Sequence, residues 1–336
     1  MGLKGYVIKR ALLAIITLYI VITLNFFIFR VLSPMKDPSS LIIDPGSMRA
    51  EQIEILRNLW GLNRPLFPDQ YLLYLWNLFT WNYGLSFGQP PTPIAPEMSW
   101  RLVNTLMVLG AAVIGTILVG IPLGLLAGSR RGSKTDVSVI GVGLFTWGVP
   151  TFFVQILFIL LFSYGWNRWF GFPLIAPFGV ISLPPPQDPL KYTLDVAWHA
   201  AGPIITLVIA GFGSWALYTR NMIVDALTED FIVTAQAKGV KARDILYKHA
   251  FRSILPPIAT IIAMAIPGVV TGAIITEQIF SWPGIGAWYI EALNIGNHPV
   301  AQAVLYNYAV LMIIANLFAD LLYGTLDPRI RVGMRR

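Results

Sequence analysis

Eight stretches of this chain run for nineteen residues or more without a charged side chain, and six of them read as membrane spans: 11–29, 102–129, 137–167, 196–219, 253–276 and 292–319. Each of the six is bounded by charged residues, and each is long enough to cross a bilayer, which takes about 20 apolar residues of helix. Soluble domains need a charged surface to face water. With 56% hydrophobic and only 12% charged residues, the 336-residue chain lacks one. The expected fold class is an all-α integral membrane protein with six transmembrane helices. Two other uncharged windows do not qualify. Window 70–96 opens as QYLLYLWNLFTW and then dissolves into NYGLSFGQPPTPIAP, whereas 169–187 carries Pro173, Pro177, Pro184, Pro185 and Pro186 and reads as a loop.

The basic residues set the orientation. With the N-terminus in the cytoplasm, sixteen of the twenty-four Lys and Arg fall on that side. They are Lys4, Lys9 and Arg10, then Arg130, Arg131 and Lys134, six in segment 220–252, and Arg329, Arg331, Arg335 and Arg336. Six spans leave both termini cytoplasmic; a seventh would carry the basic C-terminus outside. The organisation expected is a first helix in 1–30, an extracytoplasmic segment 31–100, a core 101–324 holding helices 2 to 6, and a cytoplasmic tail 325–336. The first apolar run is too long for a secretory signal and has no small-x-small cleavage site. The net charge of +7 is mostly a topology signal, and no basic patch on a soluble fold points to nucleic acid. Without cysteine there is no thiol chemistry, and His199, His249 and His298 are too scattered to suggest a metal site.

Between the fourth and fifth windows lies a charged island, RNMIVDALTEDFIVTAQAKGVKARDILYKHAFR, residues 220–252. Met222 to Ala237 contains neither Pro nor Gly and repeats Ile223, Leu227, Phe231 and Ala235 every fourth residue, which predicts one amphipathic helix. Gly239 should end it, with Lys238 at the negative pole. A second amphipathic piece is expected from Lys241 to about Phe251, with Pro256 and Pro257 preventing simple continuation. A folded, charged element between two spans is expected to dock on something outside the membrane.

Other positions carry local expectations. Gly120, Gly124 and Gly128 recur every four residues and predict a close-packing helix face. GSRRGSKTD, 128–136, fails the spacing of a phosphate-binding loop, so its basic residues read as membrane anchors. Polar or helix-breaking residues in a span are costly unless they face protein or water, which makes Trp147, Pro150, Thr151 and Gln155 candidate pore-lining residues. Glu277 precedes FSWPGIG, where Pro283 and Gly284 enforce a turn; Glu277, Trp282, Pro283 and Gly284 are candidates for an outer gate in the loop 280–302. Trp60, Tyr71, Tyr74, Trp76, Trp81 and Tyr83 are read chiefly as an interfacial aromatic belt. No Walker motif and no nucleophile-base arrangement is present, so no catalytic site is expected.

Several patches, in order along nearly the whole chain, resemble the permease subunits of the dipeptide and oligopeptide class of ATP-driven (ABC) importers. They are GLNRPLFPDQYLLYLWN with YGLSF, RLVNTL, PTFFVQILFILLFS, EDFIVTAQAKGVKARDILYKHAFRSILPP, ITEQIFSWPGIG and DLLYGTLDPRIR. The resemblance implies a type I importer permease architecture whose island holds the coupling helix that sits on an ATP-hydrolysing subunit. On it, Thr234, Ala235 and Gly239 take the second, third and seventh places of the family's Glu-Ala-Ala-x-x-x-Gly core. Val233 replaces the Glu, so no salt bridge is expected there; Asp230, Phe231, Lys238, Val240 and Lys241 complete the contact set. The implied partners are two nucleotide-binding ATPase subunits that bind ATP and Mg, a second homologous permease subunit, an extracytoplasmic solute-binding protein and the lipid bilayer. Similar members carry oligosaccharides or nickel, so peptide is the first expectation for the cargo and oligosaccharide the next. A secondary transporter or channel is the alternative of a different class, and it leaves the docking island unexplained.

Overall fold

The structure is a computed structural model and describes residues 3–32, 50–59, 61, 63–87, 91–270 and 274–326. The expected tail beyond Leu326 lies outside them, as do Lys36, Arg49, Trp60 and Gly272. Among the described residues the fold is helical, with one isolated β-bridge between Leu85 and Pro93. In order the helices are α1 (Leu3–Phe27), α2 (Ala50–Leu59), α3 (Tyr71–Phe79), α4 (Ile94–Ser129), α5 (Lys134–Gly148), α6 (Thr151–Phe158) and α7 (Trp166–Phe170). They continue with α8 (Pro189–Leu227), α9 (Asp230–Ala237), α10 (Ala242–Asp244), α11 (Phe251–Val270), α12 (Ile274–Ile279), α13 (Ile285–Asn294) and α14 (His298–Leu326).

Four stretches have the length and apolarity to cross a membrane as single helices: Val7–Leu32, Ile94–Ser129, Pro189–Leu227 and His298–Asp320. A fifth is the pair Lys134–Gly148 and Thr151–Phe170, bent by 96°. The third expected span is therefore two helices. Pro150 forces its predecessor out of the helical region, and Val149 is extended, with φ −81° and ψ 132°. The remaining expected span, 253–276, falls on α11 and α12, with residues 271–273 between them not described.

The helices group into two compact units. The first takes Met1–Thr105, Val270–Ile274 and Pro283–Leu317. One of its cores joins Phe29, Ile94, Met98, Val300 and Val304, and another joins Ile22, Phe26, Tyr74, Leu78 and Tyr306. Tyr71 and Tyr74 pack on Phe26 at ring separations of 5.1 and 5.3 Å, whereas Trp76 and Trp81 remain exposed. The aromatic cluster thus divides between core and surface.

The second unit takes Leu106–Val269, Ile275–Trp282 and Phe318–Arg336. Its frame is α4 lying beside α8. A Cβ on Gly115 would reach Val208 Cγ2 at 2.7 Å, one on Gly120 the Phe212 carbonyl at 2.8 Å, one on Gly124 Thr219 Cβ at 2.7 Å, and one on Gly128 the Arg220 carbonyl at 2.9 Å. Both numbers of each pair rise together, so the helices run in the same direction at backbone contact. The four-residue spacing of Gly120, Gly124 and Gly128 makes that approach possible, as expected for packing in lipid. α5 packs on α8 in the opposite sense, with Gly143 against Gly213 and Asp136 against Arg220. The end of α4, the start of α5 and the end of α8 therefore share one end of the unit. That is the end carrying Arg130, Arg131, Lys134 and the island.

Candidate functional site

The island is built differently from its sequence pattern. α8 continues through Arg220 and Met222 to Leu227, and the chain then breaks at Thr228 and Glu229. Thr228 caps α8 by donating its hydroxyl to the Asp225 carbonyl at 2.7 Å. α9 restarts at Asp230, a favourable residue for the positive end of a helix. The single helix expected over Met222–Ala237 is thus two, and the break shifts the buried face. Ile232 and Ala235 point inward, while Phe231, which the four-residue stripe placed there, is 43% exposed. The expected piece from Lys241 to Phe251 becomes the turn α10 and a π-helical turn, Ile245–Ala250, that runs straight into α11. α11 also passes through Pro256 and Pro257, contrary to expectation. Prolines withhold donors from the preceding turn; the wide π turn directly upstream accompanies that loss, and the Ser253 hydroxyl there donates to the Ala250 carbonyl at 2.8 Å.

The C-terminus of α9 is closed by a Schellman motif. The Gly239 N–H donates to the Gln236 carbonyl at 2.9 Å and the Val240 N–H to the Ala235 carbonyl at 3.2 Å. Gly239 sits at φ +71°, the left-handed region that glycine enters without a Cβ penalty. Ala235 and Val240, the apolar pair that accompanies such a cap, belong to one cluster with Ile223, Ile232, Ile245 and Ile254. Burying the Ile232 side chain removes apolar surface worth roughly 1.5–3 kcal/mol. One face of α9 is anchored in this way. The other presents Phe231, Val233, Thr234, Lys238 and Lys241 to the outside, with Asp230 and Gly239 beside them. Val233 is 59% exposed, so the outward face is apolar as well as charged.

A second element at this end has no counterpart among the expected site residues. Asp136, 2% exposed, accepts from Arg220 Nε at 3.0 Å and Arg220 Nη2 at 2.8 Å, and from the Gly132 N–H at 2.9 Å. Ser133 caps α5 by accepting from the Asp136 N–H at 3.3 Å. This two-pronged pair clamps the 128–136 turn to α8, and such pairs are geometrically specific. The sequence signal for it is SKTD, a Ser followed three residues later by an acid at a helix start.

The remaining candidates fall in separate places. Trp147 and Pro150 are exposed at the 96° bend, and Thr151 beside them is half-buried. Gln155 is fully buried one turn further on, donating Nε2 to the Thr276 hydroxyl at 2.7 Å. Of the gate candidates, Glu277 and Trp282 are buried in the second unit, where the Trp282 N–H donates to the Glu277 carbonyl at 2.7 Å and the indole packs with Val108, Ile159 and Phe280. Pro283 and Gly284 belong to the first unit. There the Pro283 carbonyl accepts from Asn104 Nδ2 at 3.1 Å, and Gly284 precedes α13, whose Ile285 N–H donates to the Thr105 hydroxyl at 2.9 Å. Among the described residues no three His, Cys, Asp or Glu side chains gather as metal ligands would.

Long apolar helices packed through glycine, with a charged element anchored at one end by its apolar face, define a multi-pass membrane protein. Residues 120–332 match the family described as the binding-protein-dependent transport system inner membrane component, and residues 3–116 match its N-terminal membrane component. The chain belongs to this family. It is 31% identical over 331 residues to the oligopeptide transport system permease protein AppB of Bacillus subtilis, covering 98% of this chain and 99% of that one. It is 32% identical over 338 aligned positions to the dipeptide transport system permease protein DppB of Escherichia coli K12, covering 96% and 98%. The glutathione transport system permease protein GsiC of Escherichia coli O1:K1 is 30% identical over 329 residues, covering 97% and 99%.

Proposed function

We propose that this chain forms part of the pathway of an importer that takes up di- and oligopeptides delivered by an extracytoplasmic binding protein. Its relatives named for oligopeptide, dipeptide and glutathione transport support the cargo, glutathione being itself a small peptide. In this reading the chain has six spans with both termini cytoplasmic, a second homologous permease subunit completes the pathway, and two partner ATPases supply ATP and Mg chemistry. The observation that carries the mechanism is α9: Ile232 and Ala235 fasten it to its own unit while Phe231 and Val233 stay exposed beside Asp230, Lys238 and Lys241. An outward apolar face with a charged rim fits a cleft on a partner protein.

When the ATPases close on ATP they push on α9, and the Schellman cap and the shared cluster pass that displacement to α8 and α11. ATP biases the transition only because α9 contacts its partner differently in the two states. The bend at Trp147, Pro150 and Thr151, backed by Gln155, contributes to the pathway wall. Glu277, Trp282, Pro283 and Gly284 contribute to the outer gate. The test is transport by the whole complex in proteoliposomes, with binding protein outside and ATP supplied to the ATPase face. Labelled di- and tripeptides are expected to accumulate only with ATP, and a malto-oligosaccharide is expected to stay out. Sugar uptake without peptide uptake would overturn the cargo. ATP-independent uptake would overturn the importer.

A further inference from the structure

A cavity of about 90 Å³ lies within the first unit, between the end of α1, the segment around α3 and the start of α14. Among its described lining residues the single charged side chain is Arg30. Nη1 of Arg30 donates to Gln70 Oε1 at 3.3 Å, but its Nε is buried without a partner. The same holds for the Tyr74 hydroxyl and for Gln302 Nε2, on residues only 8% and 4% exposed. Residues from three separate chain segments thus line one cavity, each with a donor that meets no acceptor among the described residues. Native proteins rarely leave buried polar atoms in this state, and the Nε of half-buried Arg30 is shielded from water without an acceptor to replace it.

The donors are also held in place. The Tyr74 ring packs on Phe26, and the Gln302 backbone carbonyl accepts from Asn25 Nδ2 at 3.0 Å. Burial pushes the Tyr74 phenol well above its usual range, so it stays a donor at any physiological pH. We propose that this cavity is a binding site for a small carboxylate, which the Nε edge of Arg30, the Tyr74 hydroxyl and the Gln302 amide hold together. The planar edge of a guanidinium matches the two oxygens of a carboxylate. One cation balances one negative charge, whereas a phosphate dianion would leave charge uncompensated. A space of this size takes a group equivalent to a few waters rather than a whole solute. The inference does not depend on what the importer carries.

The test uses the purified full chain in lipid nanodiscs, titrated with sodium acetate while thermal unfolding and heat of binding are followed, with acetamide and sodium chloride as controls. Acetate is expected to bind and to raise the unfolding temperature, and acetamide to do neither. Tyr74→Phe keeps the ring and removes one donor, so it should weaken acetate about tenfold; Arg30→Gln should abolish binding. If Arg30→Gln does not fold, Tyr74→Phe and Gln302→Met decide the question. A second arm compares L-alanyl-L-alanine with its C-terminal amide. Competition between acetate and the free dipeptide assigns the site to the end of a longer solute, and acetate binding alone assigns it to small free acids; either result supports the proposal. Equal binding of acetate and acetamide, unchanged binding in the variants, tighter binding of inorganic phosphate, or no binding would each overturn it.

Discussion

Gly213→Val is expected to prevent the second unit from assembling. A Cβ on Gly213 would collide with the backbone Cα, C and O of Gly143, and one on Gly143 would come within 3.1 Å of Gly213 Cα. Backbone cannot rotate away as a side chain can, so α5 and α8 would have to separate. Overpacking a core costs about 1–3 kcal/mol where neighbours can adjust. Here they cannot, and in lipid the close approach of backbones is itself a main source of helix association. Separation would also pull Arg220 from the buried Asp136, and breaking such a pair costs roughly 3–5 kcal/mol. Detergent-purified Gly213→Val should therefore be lost from the monodisperse peak in size exclusion. Gly141→Val, two residues from Gly143 on the same helix, is the control: a Cβ there meets nothing within 4 Å, and the variant should behave as wild type. Equal behaviour of the two variants would contradict the packing account.

Gly239→Val is expected to leave the chain folded and inserted but to cut ATP-driven uptake at least tenfold. No atom lies within 4 Å of the position a Cβ would take, so the defect is conformational rather than steric. At φ +71° a side chain costs about 1–2 kcal/mol, and more when β-branched. The local chain can relieve that only by abandoning the Schellman cap, which frees Val240 from Ala235 and alters the angle at which α9 is presented. Each 1.4 kcal/mol is about tenfold in an equilibrium, so uptake should fall at least tenfold while the unfolding temperature barely moves. Gly239→Asn should retain most uptake, because Asn enters the left-handed region readily. Full uptake in Gly239→Val would mean that the cap does not transmit the partner's motion.

The contrast between these two glycines bears on what the sequence makes legible. Gly120, Gly124 and Gly128 declare a packing face because their period is that of a helix, and the structure puts α8 against it. Gly239 declares a helix end because no other signal competes with it there. Island phase was harder to read. The run from Met222 to Ala237 has an unbroken four-residue stripe, yet Thr228 and Glu229 end one helix and start another, and no Gly or Pro marks the place. The Thr228 hydroxyl bond that stops α8 is a local capping choice, and it turned Phe231 from core to surface. Pro256 and Pro257 mislead in the opposite sense, since α11 runs through both. The clamp of Asp136 on Arg220 joins residues 84 positions apart, and hydropathy windows treat both only as charges at the edges of spans. Gln155 is a pore-lining candidate on its polarity within a span, and only the fold reveals that its amide donates to Thr276 in the interior.

The most direct test of the central claim, that the outward face of α9 is where the ATPase grips, is site-directed cross-linking in the assembled complex. The chain has no cysteine of its own, so Phe231→Cys and Val233→Cys each introduce a single thiol on that face. Leu183→Cys, at a position 89% exposed in the loop before α8, is the control. With a short thiol-reactive linker, the two α9 variants should give an adduct with an ATPase subunit, in a yield that changes when a non-hydrolysable ATP analogue is added. The Leu183 variant should give none. Failure of both α9 variants to reach an ATPase subunit, with the complex otherwise intact, would contradict the account.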